Sequence, residues 1–171
     1  MRIINLIVVH CSATREDCTL SLEDLDRLHR RRGFNGTGYH YYIRKDGTVH
    51  LTRPIERIGA HAKGFNAHSI GICYEGGLDC RGRPADTRTP EQRAALRLLV
   101  HQLLEKFPDC RVCGHRDLSP DKNGNGEIEP EEWMKACPCF DAEEEFKELV
   151  AEGTVETQSK LNYLKNEKGG K

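Results

Sequence analysis

No apolar run in this sequence approaches the roughly 20 residues that a membrane-crossing helix needs, so no membrane is expected as a partner. Charge of one sign is missing too: 26 Lys and Arg stand against 27 Asp and Glu, a formal net charge of −1. A nucleic-acid binder carries a basic face to meet the phosphates, and this balance gives no reason to expect nucleic acid. No secretory leader is expected either. Ile3, Ile4, Leu6, Ile7, Val8 and Val9 form an apolar stretch behind one early Arg. That stretch is short, lacks a small-residue cleavage site and ends in His10, so it reads as a buried strand. Synthesis in the cytoplasm is the expectation.

Cysteine, by contrast, is plentiful: eight residues in 171. Eight thiols fit four disulfides, but spacing cannot give a connectivity, and without a leader the better expectation is buried or half-buried thiols in a reducing compartment. Cys110-Arg111-Val112-Cys113 has redox-motif spacing. Cys113, however, sits on an apparent strand with no helix after it to lower its pKa, which argues against that chemistry.

The length suits one domain with a real core. Ile3–His10 is near-continuously apolar and is expected to be a central strand. Ser21-Leu22-Glu23-Asp24 resembles a capping box and opens a helix to about Arg32, which Gly33 ends. Tyr41–Arg44 and Thr48–Arg53 flank Asp46-Gly47, a hairpin signal. Ser69–Tyr74 is a further strand, and residues 76–88 form a Gly-, Asp- and Pro-rich loop. Thr89-Pro90-Glu91-Gln92 starts a helix whose Leu96, Leu99, Val100, Leu103, Leu104 and Phe107 make one apolar face. Arg111–Gly114 is a short strand that delivers His115, and Asp141 caps a last helix through about Ala151. The fold class is therefore α/β: a single domain with a central mixed β-sheet flanked by helices. Residues 1–151 form the domain, and the polar, Lys-rich stretch 152–171 is expected to be disordered.

Three short stretches carry chemistry: Val9-His10-Cys11-Ser12-Ala13-Thr14, Gly114-His115-Arg116-Asp117 and Lys135-Ala136-Cys137-Pro138. Each alone is weak, since a lone His at a strand end is more often packed or exposed than ligating. Together they offer two imidazoles and a thiolate, a zinc set that leaves a fourth position open for water. A closed set of four would argue for structure, and three argue for hydrolysis.

These segments, with GYHYYIRKDGTV at 38–49, GAHAKGFNAHSIGICYEGG at 59–77 and KACPCFD at 135–141, resemble the zinc-dependent N-acetylmuramoyl-L-alanine amidases of the phage-lysozyme and peptidoglycan-recognition type. They run in that family's order over roughly residues 3–150. The resemblance implies the peptidoglycan-recognition-protein-like amidase fold. It implies zinc on His10, His115 and Cys137, and catalytic roles for Tyr39 and Lys135 at the developing oxyanion. His61 would line the substrate cleft. The partner would be bacterial peptidoglycan, cut between N-acetylmuramic acid and L-alanine. The protein would act as a monomer and reach the wall after lysis or by assisted export. No wall-binding domain is expected, and targeting would then fall to the cleft itself. His40, beside Tyr39, would face the other way on a strand and be structural. His29, His50, His68 and His101 have no motif support.

Two departures stand out. Cys139 follows Cys137 by two residues, where it could compete for zinc or oxidise with a neighbour. An insertion, about 118–134, separates His115 from Lys135 and Cys137. Within it Asp121, Asn123, Asn125, Gly126, Glu127, Glu129 and Glu132 fit the calcium-loop pattern, so calcium is a second expected metal, with Pro130–Lys135 opening an exit helix. Against calcium, Leu118-Ser119-Pro120 cannot form the helix that precedes such loops. A non-catalytic binding module of the same fold is the alternative function, disfavoured by the presence of Cys137. A structural-zinc or redox protein would leave His10, Tyr39 and His115 unexplained.

Overall fold

A computed structural model describes residues 2–153. The stretch expected to be disordered, 152–171, lies outside the described residues apart from its first two. Strand β1, Leu6–Cys11, is buried along its whole length. Its side chains alternate: Ile7 and Val9 enter one apolar cluster, Leu6 and Val8 another on the opposite face. A strand buried on both faces reads as a continuous apolar run, which is why its sequence shows no alternation.

The main sheet has five strands. β1 lies between β5, Ser69–Tyr74, and β7, Arg111–Gly114, and is parallel to both. Beyond β5 come β3, Tyr41–Ile43, and the antiparallel edge strand β4, Val49–Leu51. Gly47, φ 82°, makes the turn between them, where an L-residue would be strained. A second, two-stranded sheet pairs β2, Thr14–Arg15, with β6, Gly77–Leu78. β6 lies in the segment expected to be loop throughout; two-residue strands are too short to show a period.

Helix α1, Leu22–Arg31, starts as its cap predicts. Ser21 Oγ accepts from Asp24 N–H at 3.1 Å and donates to the Asp24 carboxylate at 3.0 Å. It packs Leu25 against Tyr42 and Cys73 on one sheet face. Helix α2, Pro90–Lys106, covers the other face with Leu96, Leu99, Val100, Leu103 and Leu104. Its capping box is complete, because Thr89 Oγ1 accepts from Gln92 N–H while Gln92 Oε1 accepts from Thr89 N–H, each at 3.1 Å. A third helix, α3, covers 142–153, with Asp141 accepting from Glu144 N–H at its start. Phe146 and Leu149 of α3 join the α2-side core.

One expected element is absent. The exit helix at Pro130–Lys135 is a single 3-10 turn, Pro130–Glu132. Glu132 is buried and spends its carboxylate on three backbone amides, those of Lys122, Asn123 and Glu129. That closes the insertion on itself rather than propagating a helix.

Candidate metal centre

Parity and register build the site. His10 shares the face of Leu6 and Val8, and His115 shares the face of Cys113. β1 and β7 run parallel with Val9 opposite Gly114, so the two imidazoles emerge side by side at the carboxyl ends of adjacent strands. Their ring centroids are 4.7 Å apart. Crevices at the carboxyl ends of parallel strands are where open α/β sheets hold ligands.

Cys137 arrives from the far side of the insertion. Arg116 N–H donates to its carbonyl at 2.8 Å, and Cys11 N–H donates to its Sγ at 3.2 Å. The approach is tight: a Cβ on Gly114 would lie 2.4 Å from Pro138 Cδ. Donor atoms of His10, His115 and Cys137 all lie within 4.8 Å of one another. Two neutral nitrogens and one sulfur fit zinc by donor type and number. Burial keeps both imidazoles neutral. It carries His10 well below the ordinary histidine value, helped by His61, His115 and Lys135, and lowers His115 to about 4, helped by Lys135. Their lone pairs are therefore free at neutral pH.

Tyr39 lies just before β3, its ring 5.1 Å from His10 and 5.2 Å from His29. Burial raises its phenol well above the ordinary value, and the sulfurs of Cys73, Cys137 and Cys11 add to this, so it remains an O–H donor. Lys135 is exposed on the rim. Both line one cavity of about 390 Å³ with the three metal-type donors, and His61 borders the same space.

Sequence reasoning missed three supports. His29 Nδ1 accepts from Gly38 N–H at 3.0 Å and so holds the loop that carries Tyr39. Asn66 Oδ1 accepts from the N–H groups of both His61 and Ala62 at 2.9 Å. Ser69 Oγ lies 3.2 Å from His61 Nε2. Nothing in the spacing of these residues marks them, although Asn66 lies inside the GAHAKGFN stretch. His40, expected on a strand, lies just before β3 and is fully buried, its Nδ1 accepting from Gly71 N–H and its Nε2 facing Arg57 O, each at 3.0 Å.

All eight cysteines are free thiols, with only Cys18 and Cys80 exposed. Cys110 and Cys113 are buried and raised to about 12 by that burial, the opposite of a redox pair. Cys139 points away from the metal-type donors: its Sγ lies 3.9 Å from Cys11 Sγ and 3.3 Å from Gly77 O.

The calcium expectation gains no support. Among the described residues only His10, His115 and Cys137 form a converging group of His, Cys, Asp or Glu donors. In the insertion the Asp121 carboxylate accepts from Gly124 and Gly126 N–H. Asn123 and Asn125 accept from Asn125 and Glu127 N–H, and Glu129 accepts from the Asn123 side chain. These oxygens organise the loop itself.

Fold and donor set together define the class: an α/β domain with a three-donor, zinc-type centre at the strand ends. The family follows from comparison with known proteins. Residues 1–139 match the family model described as N-acetylmuramoyl-L-alanine amidase, and the chain belongs to that family. An endolysin of Enterobacteria phage K11 is 36% identical over 144 residues, covering 83% of this chain and 86% of its own length. The solved structure of N-acetylmuramoyl-L-alanine amidase LysC from Clostridium intestinale URNW is similar with a TM-score of 0.63 at 30% identity, covering 87% of this chain and 84% of that one. Drosophila PGRP-LB shares the fold, with a TM-score of 0.62 at 21% identity over 85% of this chain and 81% of its own.

Proposed function

We propose that this protein is a zinc-dependent amidase that hydrolyses the bond between N-acetylmuramic acid and L-alanine in bacterial peptidoglycan, in the manner of an endolysin. Family membership and the endolysin relatives support peptidoglycan amidase activity. The observation that carries the zinc dependence is the convergence of His10, His115 and Cys137 within 4.8 Å in an open cleft.

When bound, zinc supplies a Lewis acid for the scissile carbonyl and for the attacking water. The chain does the rest. His10 and His115 offer lone pairs without a proton to displace, and the Cys11 N–H donates to Cys137 Sγ and fixes where the sulfur sits. Negative charge develops on the carbonyl oxygen as the water adds. The Tyr39 O–H and the Lys135 ammonium border the same space and answer that charge. Neither has to be recruited at the moment of reaction.

Synthesis in the cytoplasm followed by action on the wall, after lysis or assisted export, completes this reading. The test is metal content by mass spectrometry together with muropeptide release from purified cell walls. One zinc per chain and release of stem peptides with free L-alanine amino termini are expected. Wall binding without release would instead make the protein a recognition module.

A further inference from the structure

His61 is expected from sequence to line the cleft, yet its ring is engaged on both sides by protein. Its Nδ1 lies 3.0 Å from His10 Nε2, and its Nε2 lies 3.2 Å from Ser69 Oγ, which is fully buried. The ring sits in a slot that two glycines leave open. A Cβ on Gly59 or on Gly71 would come within 2.5 Å of it. Gly71 is opposite Val8 in the sheet, two residues before His10 on the same face, so the slot places the His61 ring directly beside the His10 ring. Asn66 Oδ1 holds the His61 backbone by accepting from its N–H at 2.9 Å.

His10 has one nitrogen left for a metal. Its Nδ1 is 3.9 Å from Cys137 Sγ, on the metal side, while Nε2 faces His61. A neutral imidazole has one donor and one acceptor nitrogen. For Nδ1 to offer a lone pair, the proton must sit on Nε2 and be donated to His61 Nδ1. The His61 proton then sits on Nε2 and is donated to Ser69 Oγ. One proton arrangement satisfies the whole chain.

We propose that His61, seated over Gly71 and anchored by Ser69, is a positioning residue that sets the tautomer and ring plane of His10 for the metal. This rests on the zinc reading above. Partners of this kind orient a ligating imidazole and raise its basicity, and their loss commonly weakens metal binding about 10–100-fold.

The experiment measures zinc affinity by competition with a chromophoric chelator for wild type, His61→Ala, His61→Gln and Ser69→Ala. It adds KM and kcat on peptidoglycan at saturating zinc, and the 15N shifts of the His10 ring in the metal-free proteins. His61→Ala is expected to weaken zinc by about 10–100-fold and to leave His10 as a tautomer mixture. His61→Gln, whose amide oxygen can accept the His10 N–H, should recover most of the affinity. Ser69→Ala should lose less, and keeps the test open if His61→Ala does not fold. An unchanged zinc affinity with a raised KM in His61→Ala would overturn the proposal and make His61 a cleft wall. If the wild type took up no zinc, the proposed function would fall, while the His10 tautomer would still decide the role of His61.

Discussion

Replacing Tyr39 by Phe removes one O–H from the cleft and leaves the ring that packs against His10 and His29. Lys135→Ala removes an exposed ammonium. Both variants should keep zinc and lose about 10²–10³ in kcat, the usual cost of one oxyanion donor. Stopped assays of muropeptide release at fixed zinc decide this, and a loss of only a few-fold would make that residue a positioning group. Cys137→Ser acts on a different quantity. It should abolish zinc retention and activity while the fold persists, since Cys137 is held by backbone contacts at the rim and the core clusters lie beneath it. Metal analysis beside far-UV circular dichroism checks both halves. Cys139 has no such role, because its sulfur turns toward Cys11 and Gly77.

Elements in this protein are tied to one another through their ends. Thr89 caps α2 and also donates to Lys45 O at 2.7 Å, while Gln92 Nε2 donates to Ile43 O and Glu75 O, so one cap joins the helix to the β3–β4 hairpin and β5. Thr89→Ala should cost about 0.5–2 kcal/mol. For a chain of this size that is a fall of about 2–4 °C in Tm per kcal/mol, read by scanning calorimetry. The insertion is closed by Glu132 in the same manner. Glu132→Ala strands three backbone N–H groups. It should open the 121–131 segment to limited proteolysis while zinc stays bound, because Cys137 is anchored separately to Arg116.

Protonation and metal act on the molecule as a whole. His40 is fully buried, and burial lowers it to about 4 from an ordinary 6.5. The folded state therefore holds fewer protons than the unfolded one between those values. Stability is fully present above about 6.5 and is lost as pH falls toward 4, after which this contribution is spent. Tm of the metal-free protein should fall across that window, and the slope should flatten in His40→Asn. Zinc should work in the opposite direction, raising Tm with concentration by mass action, by about 2.7 kcal/mol at a hundredfold excess over Kd. A chelator should reverse that gain, and Cys137→Ser should not show it.

Local chemistry alone determined much of this protein. The continuous apolar runs, the period-3.6 face of α2, the Ser21 and Thr89 caps and the Asp46-Gly47 turn are written in neighbouring residues, and α1, the hairpin, β5, α2 and β7 lie where those signals put them, whereas β1 runs Leu6–Cys11 and leaves Ile3, expected at its start, exposed. The candidate donors His10, His115 and Cys137 were legible through their three short motifs and the family resemblance those motifs carry. Other features depended on contacts between residues far apart in the chain. The register of Val9 against Gly114 sets the imidazoles side by side, and no local signal encodes a parallel register. The pairing of β2 with β6, the single turn in place of the exit helix and the self-closure of the acidic insertion arose in the same way. His61 shows the difference most plainly. Its sequence neighbours mark only a loop histidine, while Gly71 and Ser69, eight to ten residues away, and His10, 51 residues away, shape the slot and fix what each ring nitrogen can do.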